Sequence, residues 1–140
     1  MLAKVKPAIG RPMPRYVKGI FPLADLAAAR ESLLMLIAWT TVATRADAET
    51  LGQAAVARGG AVCVQIDGPI TSTYRWEGRI ETTDEYRLTF KVLPDQAQGL
   101  EDLVLAAHPY ETPEWVMVPA ERVGEKYLSW ARGTTNSSSL

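Results

Sequence analysis

The chain has 140 residues, with fifteen Lys and Arg against sixteen Asp and Glu, one His and one Cys, for a formal net charge of −1. One compact domain with a real core fits this length, and a lone cysteine excludes an intrachain disulfide framework. Residues 1–20 hold five bases (Lys4, Lys6, Arg11, Arg15, Lys18) and no acid, so the remainder carries −6, which argues against a nucleic-acid-binding face.

Residues 1–22 contain Pro7, Pro12, Pro14 and Pro22 with Gly10 and Gly19, and read as a proline-stiffened extension without regular structure. Their prolines break up the place where a secretory apolar region would lie, and no run approaches the roughly 18 apolar residues of a membrane span. A short helix is expected over Leu23–Ser32, and residues 1–32 form an extension to the domain, with 1–22 dispensable for folding. Leu33–Thr41 is apolar on both faces, as a central strand should be. Thr44 and Asp47 then open a helix with Ala48, Leu51 and Ala55 as its stripe and Gly59-Gly60 as its stop.

Apolar or aromatic side chains next occupy even positions, from Val62 through Val64, Ile66, Ile70, Tyr74 and Trp76 to Ile80. A strand of about 19 residues would span about 60 Å, against about 35 Å for a 100-residue domain, so it must bend or protrude. Gly68-Pro69 is the natural bend, with the alternation kept in phase across it. A turn is expected at Glu81–Asp84, followed by a strand alternating Tyr86, Leu88, Phe90 and Val92 with Glu85, Arg87, Thr89 and Lys91. Asp95 is the expected cap of a second helix whose stripe is Ala97, Leu100, Leu103, Val104 and Ala107. Pro109 ends that helix at His108, because the residue before a proline is pushed to extended geometry. A fourth strand over Glu114–Pro119 and a final helix over Glu121–Arg132, with Val123, Tyr127 and Trp130 on one face, precede a polar tail at 133–140. The order β-α-β-β-α-β plus a helix is the α+β, ferredoxin-like plan: two helices on one face of an antiparallel sheet.

His108-Pro109-Tyr110-Glu111-Thr112-Pro113-Glu114-Trp115 is a stiff arch that brings a titratable ring, carboxylates and aromatics together. HPYETPE at 108–114, TSTYRWEG at 71–78 and YLSW at 127–130 resemble, in order and spacing, the CutA (divalent-cation tolerance) family, over about residues 33–132. The resemblance implies a cytoplasmic homotrimer in which the long second and third strands pair between subunits. It also implies a ligand cleft drawn from Tyr74, Trp76, Glu77, Lys91, His108, Tyr110, Glu111, Glu114 and Trp130.

In some members of that family, copper binding is attributed to a cysteine on the first strand with a histidine pair at the HPY motif. Ala107 precedes His108 here, and Trp39 or Thr40 stands where the cysteine would fall. With one histidine per chain, His108 is either a hydrogen-bonded helix terminator or a functional ring, as the nitrogen ligand of a weak Cu²⁺ or Zn²⁺ site or as a proton carrier. Cys63 reads as a small buried hydrophobe. No phosphate-cradling loop, zinc-type cysteine spacing or nucleophile elbow is present. The leading expectation is therefore a non-enzymatic homotrimer implicated in divalent-metal (copper) tolerance or response, with no required cofactor and no nucleic-acid or membrane partner. Two alternatives stand beside it. One is a PII-like signalling trimer with a small ligand between subunits, acting on a partner protein. The other is an enzyme using His108 and Glu111 as an acid/base pair.

Overall fold

A computed structural model describes residues 33–136 of the chain. The extension over residues 1–32, with its expected helix at Leu23–Ser32, lies outside the described residues. Four strands and three helices follow: β1 (Leu36–Val42), α1 (Arg45–Arg58), β2 (Ala61–Trp76), β3 (Arg79–Val92), α2 (Ala97–Ala107), β4 (Val116–Pro119) and α3 (Glu125–Asn136). They form one antiparallel sheet in the order β2-β3-β1-β4, the ferredoxin-like arrangement.

Local chemistry sets most boundaries. The Thr44 side chain accepts from the Asp47 N–H at 3.1 Å and opens α1, and Gly60 at φ 78° carries the chain away after its end. Pro94–Gln96 is a 3-10 turn leading into α2, and no side chain caps either segment, so Asp95 does not play the capping role expected of it. His108 ends α2 in extended geometry (φ −65°, ψ 134°), as its proline neighbour demands. The final helix begins at Glu125 and continues past Arg132 to Asn136. Its buried residues are Leu128 and Ala131, while Tyr127 and Trp130, expected on one face, lie beside each other at 5.4 Å and are 36% and 49% exposed.

The main core lies between the sheet and the α1/α2 layer, where Ala38, Leu88, Phe90 and Val92 meet Ala48, Leu51, Ala55, Leu100 and Val104. Val64 and Ile66 pack on this side from β2. A second cluster, Met35, Leu93, Leu128 and Ala131 with Val62 and Val123 against it, seats α3 over one end of the sheet. Strand alternation puts Arg87, Thr89 and Lys91 on the face away from α1 and α2, because their neighbours Leu88 and Phe90 are fully buried beneath those helices.

The β2–β3 hairpin departs from the sequence expectation in two ways. Its turn is Glu77-Gly78, with φ of 48° and 79°, rather than Glu81–Asp84, and Ile80 belongs to β3 opposite Arg75. Two positive φ values are what a two-residue hairpin turn needs to match strand twist. The register also shifts between Asp67↔Arg87 and Ile70↔Glu85. Ile66 pairs with Leu88 below that bulge, whereas Ile70 and Tyr74 pair with odd residues, Glu85 and Glu81, above it. The even positions of β2 thus change faces at Gly68-Pro69, since one extra residue in a period-two strand inverts every side chain beyond it.

Candidate functional site

The arch over residues 108–115 crosses the end of the sheet, and His108 is its buried root, 2% exposed. The Tyr110 N–H donates to His108 Nδ1 at 3.0 Å, which leaves the ring proton on Nε2. Nε2–H then faces both the Thr40 hydroxyl (3.0 Å) and the Thr41 carbonyl (3.1 Å), while Thr40 donates to the Glu114 carbonyl at 2.6 Å. The imidazole therefore ties α2's end to β1, and through Thr40 to the approach to β4. Both ring nitrogens are engaged, so neither lone pair is left for a metal in this conformation. Among the described residues no group of three or more His, Cys, Asp or Glu side chains is arranged to hold a metal ion.

Tyr110 carries the arch onward. Its ring packs on His108 at 4.9 Å between centroids, and its hydroxyl donates to Glu85 Oε2 at 2.9 Å. Burial first, then the hydrogen bond to Glu85 and that carboxylate's charge, hold the phenol far above its ordinary range. Glu85 is only 3% exposed, on the β3 residue that faces the β2 bulge. Sequence reasoning missed it: Glu85 sits among alternating polar residues of β3, and only the register at Ile70 and the crossing of the arch bury it. Trp115 packs tilted against Phe90 at 5.6 Å between centroids, and its buried indole N–H has no hydrogen-bond partner among the described residues.

The nine residues expected to share a cleft fall into three groups within one chain. His108, Tyr110, Glu111 and Glu114 belong to the arch, with Glu111 and Glu114 exposed. Trp76 and Glu77 lie at the tip of the hairpin, where Trp76↔Arg79 is six residues beyond Ile70↔Glu85, or about 20 Å away, whereas Tyr74 lies between, its hydroxyl on Thr83 at 3.3 Å and near enough to Tyr110 to act on that phenol. Lys91 and Trp130 lie toward the α3 end. Lys91 Nζ donates to Gln65 Oε1 at 2.7 Å and sits 6.0 Å from the Tyr127 ring, which in turn stacks on Trp130 at 5.4 Å. Tyr127 is pushed upward by desolvation and then by the adjacent Cys63, so this cysteine meets a phenol rather than an apolar core. The bulge places Tyr74 and Trp76 on the same open face as Lys91, Arg87 and Glu85. On that face Arg87 Nη2 pairs with Asp67 at 3.1 Å. An open apolar groove of about 440 Å³, lined by Gly52, Val56, Ala57, Val64 and Ile66, lies apart from all three groups.

Glu114 gives the site a pH signature. Partial desolvation and then the Glu85 charge raise its carboxyl above the ordinary value, with Arg87 working the other way. An acid raised in the folded state binds its proton more tightly there than in the unfolded chain. Its ionised form therefore weakens the fold as pH climbs out of the ordinary glutamate range through the raised value, and adds no penalty below both. Glu114→Gln should raise the melting temperature relative to wild type at pH 7 and leave it unchanged near pH 3. An equal difference at both pH values would show that the carboxylate's charge is not the cause.

Comparison with known proteins places this geometry. Residues 36–134 match the model of the family described as CutA1 divalent ion tolerance protein. Protein CutA of Homo sapiens is 34% identical over 102 residues, covering 73% of this chain and 57% of the human one. The chain thus spans little more than half the length of that relative. The divalent-cation tolerance protein CutA of Yersinia pestis is 34% identical over 95 residues, covering 68% of this chain and 80% of its own. Among solved structures, CutA1 of Ehrlichia chaffeensis superposes with a TM-score of 0.70 at 26% identity, over 74% of this chain and 97% of that one. CutA of Synechococcus elongatus does so with a TM-score of 0.68 at 36% identity, over 71% and 88%. With the family model matched over 36–134, a relative 34% identical over two thirds of the chain and solved members of the family superposing on its fold, the chain belongs to the CutA1 divalent ion tolerance family.

Proposed function

We propose that the chain acts as a non-enzymatic homotrimer in the cytoplasmic tolerance of, or response to, divalent metal ions such as copper, with its ligand cleft between protomers. The hairpin beyond the bulge carries this reading. Residues 70–85 extend past the last β1 partner, Val42↔Tyr86, so among the described residues this arm has no neighbouring strand on either side. A two-stranded ribbon alone is marginal in water, and this one leaves Ile80 70% exposed. The open sheet face and the exposed Val116 and Val118 of β4 supply apolar surface that a second and third copy would cover. Assembly would also bring the hairpin tip, with Trp76 and Glu77, toward arch and Lys91 groups that it does not reach within one chain. Light scattering at micromolar concentration should return three times the chain mass; a monomer mass would refute the assembly.

A PII-like role, in which a small ligand in that cleft changes contact with a partner protein, is favoured by one observation: both nitrogens of His108 are already hydrogen-bonded. Equilibrium dialysis against Cu²⁺ and against common anionic metabolites separates the two. Cu²⁺ binding at the arch should be weak, since each protomer offers one engaged imidazole there and otherwise the carboxylates of Glu111 and Glu114.

A further inference from the structure

The arch and the arm meet at a buried hydrogen bond, the Tyr110 hydroxyl on Glu85 Oε2 at 2.9 Å, with both residues nearly fully enclosed. Glu85 is the first β3 residue past the part of the strand that β1 pairs, and it faces Ile70 where β2 leaves its bulge. The arm is therefore hinged at a point where the main sheet has ended and the ladder of β2 is interrupted. Arm orientation about such a root is poorly determined by backbone hydrogen bonds alone. Tyr110 is fixed in turn by its N–H on His108 and its ring against the imidazole, so the arch presents the hydroxyl from a rigid base.

We infer that the Tyr110–Glu85 bond is a coupling link: it sets the arm relative to the arch, so that events at the arch and assembly through the arm act on one another. This rests on the trimer reading for its consequence, although not for the coupling itself. The reason is that a buried hydrogen bond anchors the arm root, and its donor belongs to the arch. Any ligand that displaces the arch also releases the arm, and by linkage, arms locked in an assembly favour one arch position. Tyr110 and Glu85 are positioning residues in this scheme, and the contact to a ligand falls to exposed Glu111 and Glu114.

Hydrogen exchange on the full chain tests it. Tyr110→Phe removes one oxygen and keeps the ring on His108. Backbone amides over 71–84 should exchange about tenfold faster, and the self-association midpoint should rise by a similar factor, while amides of α1 keep wild-type protection. Glu85→Gln retains an acceptor oxygen and should lie between the two. If Tyr110→Phe fails to fold, Glu85→Leu removes acceptor and buried charge together and should loosen the same arm amides. Arm exchange within twofold of wild type, or loosening confined to the arch, would overturn the coupling. A wild-type protein that stays monomeric would remove the assembly consequence, and the arm amides would still decide the link.

Discussion

His108→Ala should lower the unfolding free energy by about 4 kcal/mol, measured as a fall in the urea midpoint at fixed protein concentration with an unchanged slope. The size follows from two losses. The ring is fully enclosed, so its removal leaves a cavity that the packed β1, α2 and Tyr110 cannot readily close. It also strands the Tyr110 N–H and the Thr41 carbonyl, each a buried group that loses its imidazole partner. A loss below about 1 kcal/mol would mean that water or a shifted arch takes over those bonds. The same variant decides the metal question. Copper affinity that is weak and equal in wild type and His108→Ala fits the hydrogen-bonded ring, whereas tight binding abolished by the mutation would show that the arch opens to release a nitrogen.

Trp76→Ala should abolish assembly while leaving the protomer fold almost intact. Trp76 pairs with Arg79 at the last rung before the turn, far from either core cluster, so its truncation removes little that holds one chain together. In a trimer the loss repeats at each of three interfaces, and burying an indole there is worth on the order of 3 kcal/mol. Sedimentation should show monomers at concentrations where wild type is assembled, with far-UV circular dichroism unchanged. A variant that remains a trimer of wild-type stability would place the interface elsewhere, on the β4 edge.

Local physics made several features readable in advance. The Thr44 cap, the His108-Pro109 stop and the apolar run of β1 each depend on residues within a few positions, and all three hold. Boundaries moved where a local signal had a competitor. Asp95 suits a cap, but Pro94 and Gln96 form a 3-10 turn that leads into α2 without one. The final helix starts four residues later than expected, at Glu125, where Val123 packs against the second cluster and the Gly124 carbonyl accepts the first helical bond, from the Leu128 N–H at 2.9 Å.

The sequence by itself determined the element order, the family and the chemistry of the arch, because periodicity and the HPYETPE, TSTYRWEG and YLSW motifs are properties of neighbours along the chain. Which face each side chain meets was decided only by the tertiary structure. Even-numbered positions look continuous from Val62 to Ile80, yet a bulge and a turn at Glu77-Gly78 reassign them, turning Tyr74 and Trp76 to the open face and sending Ile80 to the other strand. Glu85 illustrates the same point: it reads as one more solvated charge, and becomes a buried anchor because a tyrosine 25 residues away crosses the sheet end to reach it. Register is a relation between two strands, and a slip of one residue inverts a face without changing a letter of either.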